Sequence, residues 1–160
     1  MAITKIGRNA VESINSPAVH AISSSNQSLS ANTFTTVTLA DEDLDTESDF
    51  SSNTFTPPEA GTYLILGSIG LECDNAGDLT TGYIRLTKTS SHTPLPGSTH
   101  GIASPHTDNA TFTVLGLSTS WVGTLATSDI IRMQAYANWG DGSTNVQTTY
   151  SAMSVIRLAT

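Results

Sequence analysis

The chain has 160 residues, six of them Lys or Arg and fourteen Asp or Glu, which gives a formal net charge of −8. Nucleic-acid binding requires clustered basic residues, and here they are scattered, so that class is excluded. The same acidity excludes docking on an anionic membrane surface. One cysteine, Cys73, allows no intrachain disulfide, and its apolar neighbours predict a small buried side chain.

The chain begins with a segment that differs from the rest. Residues 1–16 carry sparse apolar residues and end before Pro17, which predicts an N-terminal arm that contacts a partner or a neighbouring subunit. Residues 17–160 are predicted to form one domain. The first residues lack the apolar core of a signal peptide, which predicts a protein made in a cytoplasm and not exported.

Strand patterns recur after Pro17 about every ten residues, with turn residues between them. Thr and Ser are abundant, and no amphipathic helix is evident beyond residue 16. The predicted strands are residues 19–23, 34–39, 50–55, 62–72, 83–88, 111–122, 129–137 and 146–158. The acidic run 41–49 and the histidine-containing stretch 89–109 are predicted to be loops. This pattern predicts an all-β antiparallel sandwich, most simply a jelly roll.

The predicted strand 62–72 is apolar on both faces. At period two, one face carries Tyr63, Ile65, Ile69 and Leu71, while Leu64 and Leu66 lie on the other. One face of an antiparallel sheet can remain in water, so a second apolar face predicts an interface between subunits.

Several segments resemble the superfamily of tumour necrosis factor and the complement globular heads. The most specific is Phe55-x-Pro57-Pro58-x-Ala60-Gly61-x-Tyr63, which runs into the apolar strand. Residues 83–88, 111–121, 125–131 and 150–156 match the family's later strands in order. The sequence departs from the family at Ser128, where Gly is usual, and has no collagen-like stalk.

This resemblance implies a ten-stranded jelly roll that assembles as a homotrimer about a threefold axis. The candidate trimer-interface residues are Leu64, Leu66, Phe112 and Tyr150. Because the stalk is missing, the signalling role of the animal proteins is not carried over.

Two segments are candidates for binding. The acidic run offers Asp41, Asp43 and Asp45 as oxygen ligands for calcium, although a solvated acidic loop is the simpler interpretation and is preferred here. Trp139 lies in a turn-forming segment and is either part of a strand connection or a contact for a sugar or a neighbouring capsid subunit. No other metal or cofactor is predicted.

The sequence contains no signature of catalysis: no nucleophile elbow, no phosphate-binding glycine loop and no metalloprotease helix motif. His92, His100 and His106 do not have the spacing of a metal pair, although a threefold axis would allow one from each subunit to meet. We therefore expect a protein that is not an enzyme.

With its leading A-I-T-K-I and closing S-V-I-R-L, the chain is similar to bacteriophage virion proteins in overall style rather than in a motif. The first hypothesis is a trimeric head-decoration (cement) protein on the capsid surface of a virion, made in the host cytoplasm. Ile3, Lys5, Ile6 and Arg8 would then dock on the major capsid protein. The alternative is a receptor- or glycan-binding module of a tail fibre or spike. A bacterial surface adhesion module is a third option, disfavoured by the absence of a signal peptide.

Overall fold

A computed structural model describes residues 18–73, 79–103, 114–139 and 143–159. The described residues form thirteen β-strands and no helix, and so contain no helix able to cross a membrane. The strands are β1 (Ala18–Ile22), β2 (Gln27–Ser28), β3 (Thr35–Thr36), β4 (Asp41–Asp45), β5 (Phe50–Ser51), β6 (Thr54–Phe55), β7 (Gly61–Cys73), β8 (Leu79–Lys88), β9 (Thr93–Pro94), β10 (His100–Ala103), β11 (Val114–Leu125), β12 (Ile131–Trp139) and β13 (Thr144–Ala159).

The strands form two sheets, and all the strand pairs within each sheet are antiparallel. Sheet I has the order β11-β7-β13-β1-β4, with β2 paired to β13. Sheet II has the order β10-β8-β12-β6-β5, with β3 paired to β12 and β9 to β8. The predicted antiparallel sandwich is confirmed.

The core lies between the two sheets and is built from alternate residues of the long strands. Tyr63, Ile65, Ile69 and Leu71 of β7 are buried, as the period-two pattern predicted. Cys73 at the end of the same strand is also buried, as predicted. Ile131, Met133 and Ala135 of β12 face them from sheet II. Leu117 of the neighbouring strand β11 is buried in the same core, and Leu115 and Trp121 pack partly buried against it.

The Pro-Pro turn before β7 is held by side chains that explain its residue pattern. The rings of Phe55 and Tyr63 pack edge to face with centroids 5.7 Å apart. The Tyr63 hydroxyl donates to the Glu59 carbonyl at 2.7 Å. Arg157, buried on β13, donates to the Ala60 carbonyl at 3.1 Å and pairs with the Glu59 carboxylate. The aromatic residues at both ends of this turn therefore fix where β7 begins.

The prediction of a loop for the acidic run was wrong for its first half. Residues 41–45 form β4, an edge strand of sheet I that pairs with β1. Asp45 then accepts hydrogen bonds from the backbone N–H groups of Asp49 at 3.0 Å and Phe50 at 3.1 Å. Charge did not prevent a strand here because an edge strand keeps its side chains in solvent while its backbone pairs on one side.

Two further predicted strands are shorter or divided. Residues 50–55 form a tight hairpin of β5 and β6, since Ser52 and Asn53 both have positive φ, 50° and 63°. Only Thr35 and Thr36 of the segment 34–39 are in a strand, because the Gln27 side chain donates to the Thr36 carbonyl and accepts from the Thr38 amide. These side-chain hydrogen bonds take the place of backbone hydrogen bonds between strands. The hydrophobic pattern alone predicted a longer strand because it does not report such side-chain bonds.

The stretch predicted to be irregular, 89–109, contributes two short strands where the structure describes it. β9 and β10 both pair with β8. Between them, Ser98 is buried and its hydroxyl bonds the backbone of Leu86 and Leu95. A buried hydroxyl thus ties this connection to sheet II.

Candidate functional site

The outer face of sheet I carries most of the exposed apolar surface. Among the described residues, seven of the eight exposed large hydrophobic side chains belong to strands of this sheet: Leu44, Leu66, Val114, Val122, Tyr150, Ile156 and Leu158. The eighth, Ile102, lies on β10 of sheet II. Large contiguous apolar patches are uncommon on the surface of monomeric proteins, and where they occur they mark interaction surfaces.

The register of sheet I aligns these residues in rows across the strands. Val122, Leu64, Ile156 and Ala18 are successive cross-strand partners on β11, β7, β13 and β1. Two smaller and more polar rows follow along the strands: Ser120, Leu66, Ser154 and His20, then Ser118, Ser68, Ala152 and Ile22. The face is therefore apolar at one end and changes to small hydroxyl-bearing residues toward the other.

This face is also electrically neutral at its centre. Two open grooves cross it, and the described residues that line them include no Asp, Glu, Lys or Arg. Carboxylates lie at its borders, on the edge strand β4 and at Glu72 of β7. A surface depleted of charge in its centre has the composition of the core of a protein interface.

A bulge in β13 raises one side of the grooves. The pairing with β7 jumps from Gln147 opposite Gly70 to Ala152 opposite Ser68, so the four residues 148–151 lie opposite Ile69 alone and three of them are extra. Tyr150 stands on this bulge and is 55% exposed. A Cβ on Gly70 would lie 2.9 Å from the Tyr150 Cβ, so glycine is required beneath the ring.

A serine–histidine pair lies on this face, but it lacks the other parts of a catalytic centre. His20 Nδ1 and Ser154 Oγ are 2.8 Å apart. No carboxylate among the described residues orients the other ring nitrogen of His20. The backbone N–H groups around Ser154 serve the ladders with β1 and β7, so they are not available as an oxyanion hole. The pair is suited to polar contact within an interface.

The structure brings together three of the four predicted interface residues. Leu64 is half-buried, Leu66 is 42% exposed, and both lie on this face with Tyr150. Phe112 lies outside the described residues. Sequence reasoning did not single out Val122 or Ile156, although both carry the alternation that places them beside Leu64.

The other candidate residues are not gathered into a site. Ile3, Lys5, Ile6 and Arg8, the docking candidates, lie outside the described residues. Trp139 is only partly exposed and packs against the core, so a ligand contact there stays a prediction.

No metal centre is formed by the candidate ligands. In the part of the chain that the structure describes, no three His, Cys, Asp or Glu side chains are placed to hold a metal ion. Asp41, Asp43 and Asp45 are in a strand and not in a cation-binding loop. His92 and His100 are described, whereas His106 is not.

Comparison with known proteins gives a result for the fold alone. No family model matches the chain, and no curated protein matches it. It is similar in structure to the Eiger TNF of S. frugiperda, with a TM-score of 0.66 and 14% identity over 89% of this chain and 92% of the other. The fold is the jelly roll of tumour necrosis factor and the complement globular heads.

Two further solved structures support this. Murine APRIL has a TM-score of 0.59 and 13% identity, covering 88% of this chain and 98% of that one. The globular domain of zebrafish complement 1qA protein has a TM-score of 0.55 and 17% identity, covering 89% and 96%. The fold predicted from the Pro57-Pro58 to Tyr63 segment is confirmed, while identities this low carry no function across.

Proposed function

We propose that this protein is a non-enzymatic binding module that assembles as a homotrimer through the outer face of sheet I. The observation that carries this is the apolar, charge-free row of Val122, Leu64 and Ile156 across three adjacent strands. Burying such a row between copies removes apolar area from water at about 25 cal/mol per Å². Closed symmetry lets every copy bury the same face, and the number three follows from the family resemblance of the sequence.

The mass in solution tests this assembly. Multi-angle light scattering should give three times the 16.8 kDa chain, about 50 kDa, at micromolar concentration. A stable monomer at that concentration would overturn the proposal, and a dimer would overturn the threefold arrangement.

As the more specific role, we propose a head-decoration protein of a bacteriophage, bound to the major capsid protein. The support is the virion-like A-I-T-K-I arm, with its candidate docking residues Ile3, Lys5, Ile6 and Arg8, together with a self-assembling jelly roll. A trimer with three arms would bridge neighbouring capsid subunits through several modest contacts that act together.

Electron cryomicroscopy of the parent particle tests this role. Density for the protein on the head shell is expected, and density at the tail tip alone would refute decoration. Deletion of residues 1–16 should abolish binding to the head while the trimer keeps its mass. Retained binding would refute the docking role of the arm.

A second candidate is a receptor- or glycan-binding module of a tail fibre or spike. The outer face of sheet II favours a binding role, because Phe34, Tyr83 and Tyr136 place three aromatic rings there. Tail-tip density together with clear binding on a glycan array would rank this candidate first.

A further inference from the structure

A compact aromatic cluster occupies the outer face of sheet II. Tyr83 on β8 and Tyr136 on β12 are direct cross-strand partners, and their ring centroids are 5.7 Å apart. Phe34, just before β3, brings a third ring, 5.0 Å from Tyr136 and 6.5 Å from Tyr83. The three rings form one surface that the sandwich core does not use.

The positions of these rings are set by their neighbours. Gly101 of β10 lies opposite Tyr83, and a Cβ on it would be 1.9 Å from a Tyr83 ring carbon, so the ring covers this glycine. The Tyr136 hydroxyl donates to Asn32 Oδ1 at 3.0 Å. Rings that are already fixed lose little entropy when a ligand binds.

A guanidinium completes the cluster. The Arg85 Cζ lies 3.6 Å from the centre of the Phe34 ring, and its Nε donates to Gln134 Oε1 at 2.9 Å. Gln134 is buried, so it orients the guanidinium from below. This contact leaves the end of the fork, the two Nη groups, for another acceptor.

Arg85 has no carboxylate partner in the described part of the chain. The ion pairs there are Lys88 with Asp129 and Arg157 with Glu59. Burial lowers the pKa of the Arg85 guanidinium, which means that its charge is partly desolvated without compensation. In a protein of net charge −8, an oriented and unpaired arginine is complementary to an anion from elsewhere.

We propose that this face binds a carboxylate-bearing sugar. The Arg85 fork would hold the carboxylate through two parallel N–H···O bonds. The partly exposed rings of Tyr83 and Tyr136, beside the Phe34 ring that Arg85 covers, would pack against the C–H face of the sugar ring. The Arg85 Cζ lies 3.6 Å from the Phe34 centroid, which lies 5.0 Å from that of Tyr136, so a single acidic monosaccharide unit, sialic or uronic, would contact both parts of the cluster.

The surroundings favour a sugar over a protein partner. The neighbouring outward positions are polar, with Thr36 beside Gln134 and with Thr81 opposite Asn138. The only exposed large hydrophobic side chain described on this sheet is Ile102. The apolar part of this face is limited to the three rings, whereas the core of a protein interface is usually wider, and hydroxyls and amides around the rings suit sugar hydroxyls.

This site does not depend on the proposed assembly. Association through sheet I would leave sheet II on the outside, so a monomer and a trimer both present it. A trimer would offer three copies to a multivalent glycan. The oligomeric mass in solution shows whether the protein assembles, and acidic-sugar binding shows whether this site exists. The two proposals can therefore fail independently.

The experiment compares matched pairs of acidic and neutral sugars on the full chain. Calorimetry or ligand-observed NMR would use sialyllactose against lactose and digalacturonate against digalactose. We expect one acidic sugar to bind at least about tenfold more tightly than its neutral partner. Which pair shows the preference distinguishes sialic from uronic acid.

Variants assign the effect to the cluster. Arg85→Gln should reduce acidic-sugar binding about tenfold or more and bring it to the level of the neutral sugar. Arg85→Lys should restore only part of it, because an ammonium cannot form the two-bond fork. Tyr83→Leu should weaken both sugars. Arg132→Gln is the matched control. Arg132 lies on β12 and faces the same outer side of sheet II as Arg85, but its guanidinium donates to the Thr89 carbonyl.

Three results would overturn the proposal. The first is that neither acidic sugar binds at about 10 mM, well above the roughly millimolar range of a small weak ligand. The second is that Arg85→Gln and Arg132→Gln reduce acidic-sugar binding equally. The third is that a hexaglutamate peptide binds in a way that depends on Arg85 while both acidic sugars do not bind. The last result would assign the face to an acidic protein partner. Circular dichroism and Tm of each variant show whether it is folded.

Discussion

The two outer faces of the sandwich are built from the same kind of strand and differ in what they leave exposed. Sheet I presents aliphatic side chains without charge at its centre, whereas sheet II presents three rings and a guanidinium among hydroxyls. A wide aliphatic face can be buried only by another surface of similar size and chemistry. A small aromatic and cationic cluster can be satisfied by one small ligand. This difference is the reason why we propose assembly for sheet I and recognition for sheet II.

The largest effect is expected where a charge is placed on sheet I. Leu66→Arg puts a guanidinium in the middle of the uncharged face, so each copy must bury it without a partner. We expect dissociation at concentrations about 100-fold higher or more than for the parent protein. Light scattering across a dilution series measures this, with far-UV circular dichroism unchanged.

The control for that variant lies on the other face. Thr81→Arg adds the same charge to β8 on sheet II and should leave the oligomeric mass unchanged. If Thr81→Arg dissociates the protein while Leu66→Arg does not, the assignment of the two faces is reversed.

Glycines beneath aromatic rings give the next effect, and they test both faces. Gly101→Ala would place a Cβ 1.9 Å from the Tyr83 ring and 2.4 Å from the Gly82 carbonyl oxygen. Gly70→Ala would meet Tyr150 at 2.9 Å. We expect losses of about 1–3 kcal/mol in the free energy of unfolding, with Gly101→Ala the larger.

Urea denaturation measures these losses. Gly116→Ala is the matched control, because a Cβ there would have no heavy atom within 4 Å and the change should stay within about 0.5 kcal/mol. Equal destabilisation by all three variants would mean that strand propensity, and not ring packing, explains these glycines.

Salt should separate the two faces by a smaller, few-fold effect. Acidic-sugar binding at Arg85 should weaken several-fold between about 0.05 and 0.5 M NaCl, since screening acts on a partly exposed charge. Assembly through sheet I should not weaken over the same range, because its contacts are apolar. Assembly that dissociates with salt would indicate that charges hold the copies together.

The smallest effect lies at the connection between the sheets and should leave both faces unchanged. Burial raises the pKa of the Asp49 carboxyl above its ordinary 3.8, and the charges of Glu47 and Asp45 raise it further. The folded protein therefore holds this proton more tightly than the unfolded chain. Ionised Asp49 thus makes folding less favourable at neutral pH than at acidic pH.

Asp49→Asn should then raise Tm by roughly 1–3 °C near pH 7. The gain should shrink as the pH falls through the raised pKa and vanish below about 3.8, where both forms are neutral. Glu42→Gln on β4 controls for the loss of one negative charge. A gain that persists at low pH would show that charge is not its cause.

Much of the fold could be predicted because alternation over a long strand is a strong constraint. The inward set of Tyr63, Ile65 and Ile69 and the outward pair of Leu64 and Leu66 both followed from period two. Short strands were predicted less well, since their ends depend on single side chains such as Gln27, which bonds the backbone beyond β3.

Of the two outer faces, the sequence could predict residues of sheet I but not the cluster on sheet II. Leu66 and Tyr150 could be expected on an exposed face from sequence, because each lies on a long strand. The cluster of Tyr83, Arg85 and Tyr136 could not, because it depends on the register of β8 against β12. That register is set by pairing between residues about fifty positions apart, and no local pattern reports it.

Strand β4 has a consequence for how copies can meet. Its five residues carry four carboxylates and form an open end of sheet I. A second copy that added its own β4 to this edge would bring like charges together, which opposes growth into an endless ribbon. Copies that met by their faces would avoid this repulsion, so the carboxylates of β4 oppose pairing of one β4 edge with another, even where many copies are crowded together.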